Sequence, residues 1–282
     1  MGDKKKTNDP RIHLLAGASS GLLTVLLLQP FDLVKTRLQQ ERSGLLKAVR
    51  DAASPSFWRL WRGTWPTIWR NVPGHAMYFT ALDVVRRGLS AVKLDGSSGA
   101  LSKEMVNLVG GATARVGVGL ILMPMTVIKV RYESNLYNYT SVWNAFQTIT
   151  RKEGIRGLFA GFGSTAIRDA PYAGIYVVVY ERMKLFLHAA MKSEDFKPVI
   201  NMASGISSAI LSSVVTQPFD VIRTRIQIKP QEYRNTVFAV AKILKEEGIR
   251  AFMSGLGPRL ARKPLSAAIT WTVYEELVRS GQ

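Results

Sequence analysis

Pro30-Phe-Asp-Leu-Val-Lys-Thr-Arg-Leu-Gln39 returns, altered, as Pro124-Met-Thr-Val-Ile-Lys-Val-Arg-Tyr-Glu133 and Pro218-Phe-Asp-Val-Ile-Arg-Thr-Arg-Ile-Gln227. The spacings are 124 − 30 = 94 and 218 − 124 = 94. A ten-residue pattern that recurs at one period marks repeated structural units. A second pattern keeps the same step. Glu153-Gly-Ile-Arg-Gly-Leu-Phe-Ala-Gly161 matches Glu247-Gly-Ile-Arg-Ala-Phe-Met-Ser-Gly255. The first unit has only Leu60-Trp-Arg-Gly63 at this place, and 161 − 63 = 98, so its connection is four residues shorter.

Each unit reads as a long helix, a loop with a short amphipathic helix, and a second long helix. The first helices are expected near 12–39, 104–133 and 198–227, and the second near 66–90, 162–188 and 257–279. Short helices are expected near 45–52, 141–152 and 235–246. Pro30, Pro124 and Pro218 fall inside the first helices. Proline removes a backbone donor and crowds the preceding turn, so a kink is expected at each. The units run over about 11–92, 103–190 and 197–280 within one domain, 1–282.

The chain of 282 residues is 47% hydrophobic yet carries a net charge of +18. That charge suits a nucleic-acid binder or a membrane protein with basic loops on one side. The uncharged runs Leu14–Leu28, Val116–Ile128, Ala170–Tyr180, Val199–Phe219 and Pro264–Tyr274 favour the membrane. With their flanks each approaches the roughly 20 residues a spanning helix needs. Residues 35–62, 129–157 and 223–250 together hold 19 Lys/Arg against 7 Asp/Glu, a net of +12. Those three loops should lie on one side, facing the electrically negative compartment. Six spanning helices then put both termini on the other side.

The chain has no cysteine, so disulfides and thiolate metal sites are excluded. Its three histidines, His13, His75 and His188, are far apart in sequence. No nucleophile-base set or metal cluster emerges, and no enzyme, cofactor, metal or nucleic-acid partner is expected. Met1–Pro10 is polar and matches neither a signal peptide nor an arginine-rich transit peptide.

Threefold P-x-[DE]-x-x-[KR]-x-[KR], followed by Glu-Gly and an aromatic-x-Gly, resembles the mitochondrial carrier family over about residues 11–279. The resemblance implies an all-α membrane protein: six transmembrane helices in three pseudo-threefold repeats, with short helices on the matrix side. It implies a monomer in the mitochondrial inner membrane with both termini toward the intermembrane space. It also implies alternating access between two salt-bridge gates. At the matrix gate, Asp32 would pair with Lys129 and Asp220 with Lys35. The third pair would set Thr126 against Arg223 and lacks its acid. Gln39 and Gln227 match the family's braces beneath the ring, and Glu133 replaces the third. At the cytoplasmic gate, Asp83 would pair with Lys184 and Glu275 with Arg86. Glu181 would face Val278 and lack a base.

The family binds its cargo between the gates. Arg70, Arg168 and Arg262 each lie 13 residues before a gate acid, which suggests one layer. Helical rotation alone does not prove that they face a common cavity; the resemblance carries that step. Asp169 beside Arg168 adds the charge an amino-acid ammonium needs, as arginine's fork suits a carboxylate. Arg115 is expected to line the cavity too. A narrower similarity runs through Met123–Ser134, Leu158-Phe-Ala-Gly-Phe-Gly163, Arg168-Asp-Ala-Pro-Tyr172 and Trp271-Thr-Val-Tyr-Glu-Glu276. It implies glycine as cargo, imported for condensation with succinyl-CoA in the first step of haem synthesis. Another small amino acid, or a carboxylate- or phosphate-bearing metabolite, is the alternative; Asp169 weighs against a bare anion. Cardiolipin is expected at helix N-termini near Gly63, Gly157, Gly161 and Gly255, where backbone donors favour anions.

Overall fold

The computed structural model describes residues 10–41, 44–91, 103–191 and 197–280; within these, a number of side chains at helix ends and inside the helices Thr64–Ala91 and Phe162–Met191 lie outside the description. The long helices are α1 (Pro10–Gln40) and α3 (Thr64–Ala91) in the first repeat. In the second they are α4 (Lys103–Ile121), α5 (Met123–Glu133) and α8 (Phe162–Met191). In the third they are α9 (Lys197–Ile228) and α11 (Leu256–Ser280). No strand occurs among the described residues. Within each repeat the long helices pack together, α1 on α3, α4 on α8 and α9 on α11. Between repeats α3 packs on α4, α8 on α9 and α11 on α1, which closes a ring.

The loops carry short helices, α2 (Leu45–Ala53), α6 (Val142–Glu153), α7 (Ile155–Leu158) and α10 (Thr236–Glu247). Small or branched residues one turn apart bury the inner face of each: Ala48 and Ala52, Ala145 and Ile149, Ala239 and Ile243. Ser141 Oγ caps α6 by accepting from the Asn144 amide at 3.0 Å, and Asn235 caps α10 by accepting from the Phe238 amide at 2.8 Å. Each repeat thus owns a small apolar cluster beneath its proline motif, built on Leu33 and Val34, on Met123 and Val127, and on Ile222 and Ile226.

Around the ring, polarity is inverted relative to a soluble bundle. Leu22, Leu23, Leu26, Leu27, Val177, Val178, Leu211 and Val215 are exposed. Ser204, Ser208 and Ser212, four residues apart on α9, are fully buried, as are Gln217 and Asp220. An apolar exterior around a polar interior is the arrangement lipid demands, and small residues let helices approach closely. By length and hydropathy, one described helix qualifies as a span, Val199–Ile228, with a second if Gly110–Ile121 and Met123–Glu133 count as one bent path.

Only the middle proline breaks its helix. The path bends by 67° between Ile121 and Met123, whereas α1 and α9 run on through Pro30 and Pro218. The residue before the proline differs. Gln29 Nε2 donates to the Arg62 carbonyl at 3.1 Å and Gln217 Nε2 to the Ser254 carbonyl at 2.6 Å. Met123 occupies that place in the second repeat and can make no such tether.

Three glycines sit where each second helix begins and press on the neighbouring repeat. A Cβ on Gly63 would meet Glu133 Cγ at 3.0 Å, and one on Gly161 would meet Gln227 Cγ at 3.2 Å. A Cβ on Gly255 would meet Gln39 Cγ and the Lys35 carbonyl, both at 3.0 Å. Gly255 also holds φ +75, a region that side chains strain. Gly255→Ala should therefore lower the unfolding temperature in detergent, by a cost of about 1–3 kcal/mol. Gly21→Ala, where nothing lies within 4 Å of the new Cβ, should be neutral or stabilising. Equal melting of the two variants would contradict this account.

Candidate functional site

Where the proline motifs converge, acids and bases of different repeats meet. Lys129 Nζ lies 2.8 Å from Asp32 Oδ2, and Lys35 Nζ lies 2.5 Å from Asp220 Oδ2. Each of these ion pairs is braced one turn further along the base's own helix. Gln39 Nε2 donates to Asp220 Oδ2 at 3.1 Å and its Oε1 accepts from Thr224 Oγ1 at 2.7 Å. Glu133 lies 3.5 Å from Lys129, and its carboxylate accepts from Thr36 Oγ1 at 2.6 Å and Gln29 Nε2 at 3.2 Å.

The third corner is bare. Thr126 stands at the acid's place, donating to the Leu122 carbonyl at 3.0 Å and accepting from Arg70 Nε at 2.9 Å. Arg223 Nε is buried without a hydrogen bond, and so are both polar atoms of the Gln227 side chain. By the 94-residue step Val130 replaces the threonine hydroxyl that Gln39 and Glu133 receive from Thr224 and Thr36. Buried polar groups of this kind are uncommon and costly.

Two further arginines strut the seams between repeats. Arg131 Nε donates to the Gln227 carbonyl at 2.9 Å while its fork grips Glu153 at 2.6 and 2.7 Å. Arg225 Nε donates to the Gln39 carbonyl at 3.0 Å while its fork grips Glu247. Paired guanidinium-carboxylate bonds fix orientation as well as charge. Sequence reading had these residues as repeated motif positions and as loop charge, without pairing them. The signal was present: 153 − 131 and 247 − 225 both equal 22. Arg37, the first-repeat counterpart, has no such acid. Among the described residues its Nε is buried without a hydrogen bond and its Nη1 reaches the Asp51 carbonyl at 3.3 Å.

A cavity of about 330 Å³ opens above this ring, and Arg70, Arg115, Thr126, Arg168, Asp169 and Arg223 contribute to its lining. Arg168 spans two carboxylates. Its Nε lies 2.7 Å from Asp169 Oδ1 and its Nη1 lies 2.6 Å from Asp220 Oδ1. Arg115 stacks between Tyr78 and Tyr172, 6.0 and 5.9 Å from their ring centres. Arg262 does not line the cavity. It lies against the ring instead, with Nε 2.8 Å from Asp32 Oδ1. Arg259, which the sequence did not single out, sits 3.8 Å from Asp220 and donates to Gln217 Oε1 at 2.9 Å.

Toward the opposite end, Glu181 is exposed and Lys184 Nζ lies 5.9 Å from the centre of the Tyr180 ring. The side chains of Asp83, Arg86, Glu275 and Val278 lie outside the described residues, and with them the expected pairs of the second ring. A second cavity of about 530 Å³ lies beside the loops, near Arg156, Gly157, Gly161, Arg234 and the capped start of α10. No cluster able to hold a metal occurs among the described residues.

Among the described residues Asp220 is the most heavily engaged acid, with Lys35, Arg168, Arg259 and Gln39 about it. Asp220→Asn would leave those cations without their carboxylate, and removing one member of a buried pair costs about 3–5 kcal/mol. The variant should unfold well below the unsubstituted protein; a thermal melt within a degree or so of it would contradict that assignment.

Comparison with known proteins agrees with the threefold period. The family profile described as "Mitochondrial carrier protein" matches three times, at residues 6–93, 102–190 and 194–281. A protein of Aspergillus niger named mitochondrial glycine transporter is 46% identical, over 97% of this chain and 91% of its own length. Proteins of the same name from Sclerotinia sclerotiorum and Neurospora crassa are each 42% identical. They match all of this chain, and 96% and 95% of their own lengths.

Proposed function

This chain belongs to the mitochondrial carrier family, and we propose that it carries glycine across the inner membrane into the matrix. There the cargo would feed the first step of haem synthesis. The observation that carries the reading is the cavity in which an acid, Asp169, is set among arginines. A zwitterion of a few atoms needs that pairing: guanidinium for the carboxylate and carboxylate for the ammonium. A phosphate or dicarboxylate would meet Asp169 as a like charge. The full-length similarity to relatives named glycine transporters supports the same cargo.

Transport follows from two exclusive states of one polar interior. In this reading the braced ring of Asp32–Lys129 and Asp220–Lys35 is the closed matrix gate, and the cavity faces the intermembrane space. Asp83, Arg86, Glu181, Lys184 and Glu275 form the gate that closes when the first opens. Ion pairs suit this task because their net worth is small once desolvation is counted, so exchange between the two rings is feasible. Cargo can drive the exchange only by binding one state better than the other. Arg168 is placed to report occupancy, since it touches both Asp169 at the cavity and Asp220 in the ring.

The same reading makes the protein a six-span monomer with its basic loops toward the matrix and its termini toward the intermembrane space. Cardiolipin would lie against the second cavity, whose Arg156 and Arg234 flank the glycine-marked helix starts.

Purified protein in liposomes should take up labelled glycine. Asp169→Asn should reduce that uptake by about tenfold or more, as loss of a charge-assisted contact predicts. Unchanged uptake by Asp169→Asn would overturn the assignment of the ammonium site. Absence of uptake by the unsubstituted protein would overturn glycine as cargo.

A further inference from the structure

The bare corner between the second and third repeats has a use. We infer that Arg223, with Arg70 beside it, is the seat of the cargo's carboxylate, so that bound cargo supplies the third acid of the ring. The inference deepens the reading above and rests on it for the identity of the cargo.

The corner lacks the carboxylate and the threonine hydroxyl that its two counterparts possess. Asp32 and Asp220 have Thr126 in their place, and the hydroxyls of Thr36 and Thr224 have Val130. The donors remain. Arg223 is 6% exposed and lines the cavity, with its Nε unbonded, and Gln227 is fully buried with both polar atoms unbonded. Arg70 aims its Nε at the same Thr126 oxygen. One guanidinium therefore bonds a neutral hydroxyl, and a second lines the same cavity, where the other corners hold a carboxylate. The remaining candidate arginines are engaged: Arg168 by Asp169 and Asp220, Arg262 by Asp32, and Arg115 by two tyrosine rings.

An acid entering this corner would meet what Asp220 meets at its own: a base from the neighbouring repeat, with a glutamine one turn further along the base's helix. Arg223 and Gln227 hold those two positions. Asp169, lining the same cavity, is then the partner for the ammonium.

The test replaces the cargo's carboxylate by one on the chain. Thr126→Asp should melt higher than Thr126→Asn in the absence of cargo, because the ring is then complete. Glycine should raise the melting temperature of the unsubstituted protein and of Thr126→Asn, while glycinamide, which lacks the carboxylate, should raise neither. Thr126→Asp should show no glycine shift, and its glycine uptake in liposomes should fall by about tenfold or more. An undiminished glycine shift and uptake in Thr126→Asp would overturn the corner as the carboxylate seat and leave glycine transport standing. Chloride or acetate raising the melting temperature of the unsubstituted protein as much as glycine does would make the corner a general anion site and overturn its assignment to cargo. If glycine shifts none of the proteins, both the cargo and its seat fall.

Discussion

A carboxylate cannot be left alone in the interior of a bundle wrapped in hydrocarbon. Asp220 is 1% exposed at the crossing of the first helices, and its neighbours are arranged around that fact. Lys35 arrives from the first repeat, Arg168 from the second, and Arg259 from its own. The helix ends meet at the point where charges of different repeats pair. The short loop helices follow, since each packs its small residues beneath one of those converging ends. The apolar exterior then completes a molecule whose order runs from charged centre to greasy rim.

Much of this was legible in the residues. The 94-residue step located most of the helices to within a few residues, because proline, capping residues and glycine return at fixed places, though the short α7 was not expected and the helix over 104–133 is two. The family resemblance named the two pairs found at the ring, Asp32 with Lys129 and Asp220 with Lys35. What escaped was rotational. Arg262 shares its sequence depth with Arg70 and Arg168 but turns to Asp32, because 13 residues fix height along a helix and leave its tilt and facing open. The difference among the three prolines escaped for a similar reason, since α1 and α9 run on as unbroken helices and the path at Pro124 does not. Proline permits a break, and whether one occurs depends on the tether made by the residue before it, Gln29 and Gln217 against Met123. The glycines at 63, 161 and 255 read as turn formers or lipid contacts. They also let the next repeat's brace approach, a contact that no local pattern reveals.

The departures from threefold sameness are concentrated. Thr126, Val130, the break at Leu122 and the acid at Asp169 all belong to the second repeat. A symmetric cavity would present the same chemistry from three sides and would suit a cargo with matching symmetry. An amino acid has two unlike ends, and one irregular repeat is enough to distinguish them.

The struts divide the seams unequally. Between the third and first repeats everything is present: Lys35 with Asp220, Gln39 with Thr224, and Arg225 with Glu247. The seam from first to second lacks a strut at Arg37, and the seam from second to third lacks its ion pair at Thr126. Both incomplete seams flank the same repeat. With one joint complete and two incomplete, the third and first repeats are tied to each other by ion pair, brace and strut together, and among the described residues neither is tied so to the second.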